Sequence, residues 1–422
     1  MKYASLRGMN DILPDETPLW QYIEKKFHEK FQKNGYFEIR TPIMEQTELF
    51  IRSIGDDTDI VGKEMYSFKD KKGRDISLRP EATASVVRAG IENSLINKDK
   101  PIKLYYIGPM FRYERPQSGR YRQFYQAGIE IIGGDDEGNN IVLSDFNVIL
   151  SAVDYLSSIE LRDLEININS IGCGECRPAY LADLKEFTSK HLDKLCSNCT
   201  ARYNNSPLRV LDCKNPKCKE VLHEAPSLTE YICIDCEKNL NIVAISLRSL
   251  GNNVVRNTNL VRGLDYYTGM IFEIVSKDLG AQNALCGGGR YNKLVKDLGG
   301  PNVPAVGMAF GIERLISIIK AQKIDLPIKK EIELFIAIIG GMDAISKAYM
   351  VQRQLELSQI ESRISPRTDN LSSQLKLANS IGAKKVLIIG EDEIKRDTFP
   401  LKDMSTGDQK EISLKDIEKE LK

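Results

Sequence analysis

Eight of the chain's nine cysteines stand in four close pairs: Cys173/Cys176, Cys196/Cys199, Cys213/Cys218 and Cys233/Cys236. Incidental core cysteines would not pair along the chain in this way, so this segment must fold around thiols that it brings together. Close pairs are the ligand spacing of tetrahedral four-cysteine zinc sites, and these four pairs suffice for one or two of them. Disulfides are the other use of such pairs, and a reducing cytosol disfavours them. The stretch 161–241 holds all eight, with several Asn, Pro and Lys residues, and reads as an inserted Cys-rich module. Cys286 stands apart and reads as a buried residue. None of the three histidines (His28, His191, His223) follows an H-E-x-x-H spacing, so the expected metal is structural zinc and not a catalytic ion.

On either side of the module, the pattern is of short β-type runs interrupted by long helices. An amphipathic helix over Glu16–Asn34 places Leu19, Tyr22, Ile23, Phe27 and Phe31 on one face. Gly35 ends it, and Tyr36–Arg40 reads as a strand. Further β-type runs are predicted at Met65–Phe68, Ile76–Leu78, Leu104–Ile107, Phe124–Ile132, Val254–Asn257 and Met270–Val275, with a helix over Ala82–Asn93. Strands grouped in this way predict an α+β fold with an antiparallel sheet and helices on one side. The basic, Pro-containing segment Lys320–Lys330 reads as a linker. Beyond it, strands at Leu334–Ile339 and Lys385–Ile389, helices at Met342–Leu357 and Leu371–Ser380, and a hairpin within Thr398–Ile412 describe a smaller α/β domain. The expected domains are therefore 1–325, with 161–241 inserted, and 331–422.

Charge excludes less than it permits. Lys+Arg and Asp+Glu are both 59, so any nucleic-acid surface must be a local patch. No apolar run approaches the roughly 20 residues of a membrane helix. The opening MKYASLRGMNDILPDE lacks the apolar core of a signal peptide, so a cytoplasmic protein without a membrane partner is expected.

Five segments carry chemistry. In Leu104–Gly133, two β-type runs flank a polar loop in which Arg112, Arg115, Arg120 and Arg122 surround one acid, Glu114. Arginine grips phosphate and carboxylate oxygens bidentately, although a hairpin with a solvated basic edge would look the same. In the strand that follows, Gln126, Gly128 and Glu130 alternate onto one face as a polar pocket floor. A buried acid without a partner is costly, and a cationic ligand is one way to satisfy Glu130. In Ser77–Ala84, Glu81 opens a helix with Thr83 beside it; capping alone would account for Glu81. Leu260–Glu273 brackets Asp265, Tyr266 and Tyr267 with Gly263 and Gly269. Leu285–Leu294 packs three glycines beside Arg290 without the dinucleotide spacing G-x-G-x-x-G, and no P-loop occurs anywhere. Val306–Leu315 runs a Gly-rich strand into a helix with Arg314 in its first turn, where a cation opposes the dipole unless an anion is near.

Together these segments resemble the histidyl-tRNA synthetases. G-Y-F-E-I-R-T-P (Gly35–Pro42), F-R-Y-E-R-P-Q-S-G-R-Y-R-Q-F (Phe111–Phe124) and Gly307–Leu315 resemble motifs 1, 2 and 3 of class II synthetases. L-R-P-E-A-T-A and V-R-G-L-D-Y-Y resemble the two histidine-binding signatures, and Ile381–Glu393 resembles part of the anticodon-binding domain. The resemblance implies an antiparallel catalytic sheet of six or seven strands with an α-helical, cysteine-rich insertion, activation of L-histidine by ATP with Mg2+, transfer to tRNA(His), and a homodimer joined through motif 1. It implies that Glu81, Thr83 and Gln126 hold the substrate amino group, and that Glu130 and Tyr267 read its imidazole beside Tyr266. By the same resemblance, Arg112 binds the α-phosphate and the carboxylate, Glu114 and Phe124 the adenine, and Arg314 the γ-phosphate. Arg262 is implied as the catalytic guanidinium at the α-phosphate, where related enzymes rely on a metal. Arg115, Gln117 and Arg122 are implied to face the tRNA acceptor end.

The chain departs from many members at Ala82, where Gly is usual, and at Tyr125, where His is usual; Tyr125 alternates away from Gln126 and Glu130. The cysteine-rich insertion occurs in only part of the family, so its zinc rests on spacing alone. Two other readings remain open at this point. A regulatory paralogue from histidine biosynthesis would keep the fold, but would match poorly at the Arg262 signature and usually lack the tail. A zinc-ribbon nucleic-acid binder would leave motifs 2 and 3 unused.

Overall fold

The mostly apolar segments Ile102–Phe111 and Gln123–Ile132 form the two longest strands among the described residues, and the first unit is assembled around them. The computed structural model describes residues 3–421 apart from 56–57, 118, 135–138, 206, 212, 214 and 329–331. Its chain divides into two units, residues 1–326 and 327–422. In chain order the first unit contains β1 (Phe37–Glu38), β2 (Met44–Gln46), β3 (Ser67–Lys69), β4 (Asp75–Leu78), β5 (Ile102–Phe111), β6 (Gln123–Ile132), β7 (Leu164–Ser170), β8 (Val254–Arg256), β9 (Met270–Ser276), β10 (Ala284–Arg290) and β11 (Ala305–Gly311). Eight of them form one sheet in the order β1-β5-β6-β11-β10-β9-β7-β8. Its five central pairings are antiparallel and only the two edges, β1 on β5 and β8 on β7, are parallel. The sheet is thus wider than the six or seven strands expected. The excess arises at β7, a strand within the stretch that composition assigns to the insertion. Leu164–Ser170 pairs with β9 along its whole length, so the inserted module begins after Ser170 and not at 161.

One face of the sheet is covered. The helix Thr17–Lys33 turns Trp20, Ile23, Phe27 and Phe31 inward, and the helix Asn139–Ser158 packs beside it. Phe27, Tyr155 and Phe310 meet edge to face at centroid distances of 5.1–6.1 Å, the geometry that aromatic quadrupoles favour. Cys286 is buried on this side, its Sγ 3.3 Å from Met308 Sδ. The window Ile141–Ser158 is long and apolar enough to cross a membrane by length and composition, although Asp145 and Asp154 interrupt it. Its inner face packs on the sheet, and its Asp145 meets Arg290 at 2.9 and 3.2 Å. Both side chains are nearly sealed from water, at 2% and 5% exposure. Breaking a buried pair by removing one partner costs about 3–5 kcal/mol. Arg290→Leu should therefore lose stability of that order in urea unfolding, and a loss below ~1 kcal/mol would contradict this account.

The remaining strands of this unit, β2-β4-β3, form a small antiparallel sheet. The inserted module is helical, as expected, with helices at Arg177–Ser189, Ser197–Asn205 and Pro216–Leu222, and Ile234–Ser249 returning the chain to β8.

The second unit has β12 (Ile332–Ile339), β13 (Ser362–Ile364), β14 (Ala383–Gly390), β15 (Phe399–Asp403) and β16 (Gln409–Ile412) in the order β13-β12-β14-β15-β16. The first three are parallel and the last two antiparallel. Its helices Met342–Leu357 and Leu371–Ser380 match the sequence expectation at both ends. The helix Ile312–Ala321 runs into the segment read as a linker, and residues 329–330 of that segment lie outside the described ones.

Candidate active site

Residues directly opposite in antiparallel strands present their side chains to the same face. The register therefore dictates the shape of the sheet's open face. One row across five strands reads Tyr106, Gly128, Ala309, Gly287 and Glu273, and the next reads Leu104, Glu130, Gly307, Gly289 and Ile271. Three consecutive positions with at most a methyl group leave a trough between Tyr106 and Glu273. Charged side chains fill the missing volume. A Cβ at Gly307 would stand 1.6 Å from Glu130 Oε2, and one at Gly287 would stand 2.3 Å from both terminal nitrogens of Arg262. These strand glycines are empty so that an acid and a guanidinium can lie flat on the sheet. Gly287→Ala should accordingly displace Arg262 and cut activity nearly as far as removing the guanidinium, with a small change in melting temperature because a flexible side-chain end yields. Unchanged kinetics for Gly287→Ala would contradict this role.

Above the trough is a cavity of roughly 1240 Å³. At one end Glu81 is buried at 3% exposure at the start of the helix Thr83–Glu92. Its carboxylate accepts the backbone N–H groups of Thr83 at 2.6 Å and Ala84 at 2.9 Å, so the capping reading is correct and the acid still borders the cavity. Burial raises its pKa against the pull of those N–H groups. Glu130 is more completely enclosed, at 1% exposure. Thr83 Oγ1 donates to it at 2.8 Å and the Tyr291 hydroxyl at 2.5 Å. Burial pushes its pKa up to about 8, although both hydroxyls favour the anion. A cationic ligand, one way to satisfy Glu130, is therefore not needed for that: two hydroxyls already do it, and the acid stands one layer behind the cavity surface. Tyr266 and Tyr267 pack at 4.7 Å, Tyr266 also meets the Tyr291 ring at 5.7 Å, and all three line this end. Gln126 lines it too, and its Oε1 is buried with no protein partner.

The other end is cationic. Arg112 donates from Nε to the Pro80 carbonyl at 2.8 Å and lies over the Phe124 ring at 5.3 Å. Arg314 donates from Nη1 to the Ala284 carbonyl at 2.7 Å. Burial, and then the nearby Arg120 charge, lower its pKa, as expected for a cation placed where an anion is missing. Arg262 pairs with Glu273. Burial pulls its pKa down, but the Glu273 carboxylate more than offsets this, and the guanidinium stays charged. Glu114 accepts from Arg120 at 2.9 Å. Glu313 in the first turn of the helix Ile312–Ala321 accepts the Tyr125 N–H at 2.9 Å, and burial raises it to about 7.

Of the sequence-predicted residues, Glu81, Thr83, Arg112, Gln126, Arg262, Tyr266, Tyr267, Glu114, Phe124 and Arg314 all border this one cavity. Arg115, Gln117 and Arg122 are not among its lining residues; Arg122 instead stacks over Tyr113 at 3.8 Å. Arg120 and Tyr121 of the same loop turn inward. Tyr125 points to the covered face and meets Trp20 at 5.2 Å. Sequence reasoning missed Tyr291, which follows the Gly-rich strand directly, and Glu273, whose place beside Arg262 depends on strand register.

The cysteines resolve into two groups, Cys173/Cys176/Cys233/Cys236 and Cys196/Cys199/Cys213/Cys218, each with its Sγ atoms within 4.8 Å of one another. Contacts of 3.5, 3.8 and 3.9 Å are far from the ~2.05 Å of a disulfide. They are close to the ~3.8 Å edge of a tetrahedron with Zn–S near 2.3 Å. The donor chemistry and spacing fit zinc in both groups.

Residues 8–315 match the family described as histidyl-tRNA synthetase, and residues 333–422 match an anticodon binding domain. A histidine–tRNA ligase of Halothermothrix orenii is 46% identical over 421 residues, 100% of this chain and 99% of the relative. One from Desulforamulus reducens is 44% identical over 412 residues, covering 97% of each chain. Among solved structures, the apo histidyl-tRNA synthetase of S. aureus matches with a TM-score of 0.82 and 34% identity, covering 99% of each chain.

Proposed function

Because the chain belongs to the histidyl-tRNA synthetase family, we infer that the cavity on the open face of its sheet is where histidine and ATP react. The enzyme is a histidine–tRNA ligase. Histidine and ATP give histidyl-adenylate and pyrophosphate, and the histidyl group then passes to tRNA(His) with release of AMP. The observation that carries the site assignment is the polarity of the cavity: the buried Glu81 carboxyl with Tyr266, Tyr267 and Tyr291 at one end, and Arg112, Arg262 and Arg314 among the arginines of the other.

On this reading Glu81, Thr83 and Gln126 hold the α-amino group, and the unpartnered Gln126 Oε1 supports this because it lacks a donor that an ammonium group supplies. Glu130, through Tyr291 and with Tyr267, distinguishes an imidazole from apolar side chains, since a site built of buried hydroxyls penalises a ligand that leaves them unpaired. Tyr266 lines the same end. Phe124 stacks on the adenine and Glu114 accepts from its amino group. Arg314 takes the γ-phosphate. Arg112 holds the α-phosphate and the substrate carboxylate together, so that a carboxylate oxygen attacks phosphorus in line with the departing pyrophosphate. Arg262 meets the charge that develops on the α-phosphate oxygens, the step at which a fixed guanidinium contributes most. Magnesium bound with ATP would supply charge neutralisation, and Glu313 is a cavity carboxylate with the hard oxygen donors that would hold it.

Arg115, Gln117 and Arg122 remain the proposed contacts to the acceptor end, supported by their position on the loop whose Arg120 enters the cavity. A homodimer through the motif 1 region is supported by exposed apolar side chains there, Phe37 at 69% and Met44 at 53%; light scattering should give twice the chain mass. A cytoplasmic location accords with nine cysteines that are all free thiols. Zinc in the two four-cysteine groups would be structural, a fixed charge that cross-links the insertion.

The decisive test is histidine-dependent ATP–pyrophosphate exchange. Exchange that requires histidine, with charging of tRNA(His), is expected; a folded preparation that charges tRNA only with another amino acid would overturn the specificity assigned to Glu130 and Tyr267.

A further inference from the structure

The insertion does not stand apart from the cavity. Cys196 and Cys213 of the second cysteine group are in the cavity wall, together with Arg202 and Arg209 from the segment between those cysteines. Both guanidiniums converge on Asp59, Arg202 at 2.8 Å and Arg209 at 3.2 Å, and Arg202 also donates to the Arg209 carbonyl at 3.1 Å. Asp59 directly precedes the helical turn Ile60–Glu64. Glu64 in turn accepts the Tyr113 N–H through its backbone carbonyl at 2.6 Å. A continuous set of contacts therefore joins the second cysteine group to the loop of Arg112 and Glu114. Arg209 is buried at 9% exposure, its Nη1 has no protein partner, and its Nη2 lies 3.9 Å from the place a Cβ would take on Gly263, the residue after Arg262. Two guanidiniums share the single Asp59 carboxylate, so one positive charge of the pair is left over, and the unused Nη1 of Arg209 can present it to an anion. None of Cys173, Cys176, Cys233 and Cys236 lines the cavity.

We propose that the second cysteine group is a metal-held wall of the active site whose task is to seat Arg209 as a ligand for a phosphate oxyanion, while the first group only closes the base of the insertion. This rests on the cavity being the histidine-activation site. Four thiolates on one ion fix both ends of the segment that carries Arg202 and Arg209, and the Asp59 contacts then set Arg209 beside Arg262. The phosphate is either that of ATP or a backbone phosphate of the acceptor strand, and the two half-reactions separate them.

The test uses the full-length purified enzyme and zinc as the probe, counted by plasma mass spectrometry and by release to a colorimetric chelator. The parent should hold about two zinc ions per chain. Replacing Cys213 and Cys218 by Ser should remove about one, and raise a KM at least tenfold: that for ATP in pyrophosphate exchange if ATP is the ligand, that for tRNA in charging if the acceptor strand is. Arg209→Ala should reproduce the same KM change with both zinc ions retained, and Arg209→Lys should recover most of it. Replacing Cys233 and Cys236 should remove the other zinc with a smaller KM change. The proposal is overturned if the Cys213/Cys218 variant loses no zinc, or if it loses zinc with both KM values unchanged. Equal KM changes for the two cysteine variants, or unaltered kinetics in Arg209→Ala, would overturn it as well. A parent inactive in exchange would count against the activation site itself and not against the metal count.

Discussion

Arg262→Ala should lower the rate constant of histidine-dependent ATP–pyrophosphate exchange about 10³-fold, equivalent to ~4 kcal/mol of transition-state stabilisation. The expectation follows from how the side chain is held. Glu273 grips one terminal nitrogen, Gly287 leaves the guanidinium room to lie on the sheet, and Nε is buried with no protein partner. A charge fixed in this way undergoes no reorganisation as the α-phosphate gains charge, and that is why it acts on the rate constant more than on KM. Removing Arg262 also leaves Glu273 without its counter-charge, so the single variant should melt earlier for a reason unrelated to catalysis. Glu273→Gln in the same chain removes that penalty. The double variant should therefore regain the melting temperature and none of the rate. Recovery of the rate along with stability would show that Arg262 only supports the fold. Lys at this position should rescue less than tenfold, because an ammonium group cannot reach two oxygens while remaining on Glu273.

Glu130→Gln should cost 10²–10³ in kcat/KM for histidine and leave the KM for ATP within about threefold. The pH dependence separates this from a loss of packing. With a pKa near 8 in the empty site, Glu130 carries a proton at neutral pH. A neutral imidazole, the form free histidine takes above about pH 6.5, enters and bonds to the Tyr291 hydroxyl that is itself hydrogen-bonded to Glu130, so binding neither takes up nor releases a proton. Histidine binding should then be level from about pH 6.5 to 8 and weaken by up to tenfold per unit above 8, where the proton must come from solvent. The Gln variant should lack the break at 8. The sign for stability is the reverse of a salt-bridged acid. A carboxyl whose pKa is raised by burial favours the fold only while protonated, so the parent should lose stability relative to the variant as pH rises from about 4.5 through about 8. A break that persists in the variant would assign it to another group.

Much of the site was legible in the sequence because it depends on short-range rules. The alternation of Gln126, Gly128 and Glu130 is a property of any strand, and the register confirms that all three face the cavity side. Glu81 at a helix start and Arg314 in a first turn are local geometry. The cysteine spacing foretold that thiols would cluster, and the match of five ordered motifs gave the family. Local rules could not show that Glu130 is already satisfied, because Tyr291 lies 161 positions away. Nor could they show that Leu164–Ser170 belongs to the main sheet, since composition averages over a stretch while pairing depends on one partner strand, β9.

What the sequence by itself determined, then, is the set of groups available and the periodicity that points each one inward or outward: the acids, the arginines, the tyrosines and four pairs of thiols. The tertiary structure alone decided which of these meet. It nested the outer cysteine pairs into one group and the inner pairs into the other, aligned Gly128, Ala309 and Gly287 into one trough, and laid Arg262 against Glu273. The physical reason is that a side chain's direction is set within a few residues, by backbone sterics and hydrogen bonding. Its neighbour across a sheet is set by strand register, which for pairs such as Gly128 and Ala309 joins segments more than a hundred residues apart and is selected only by the packing of the whole core.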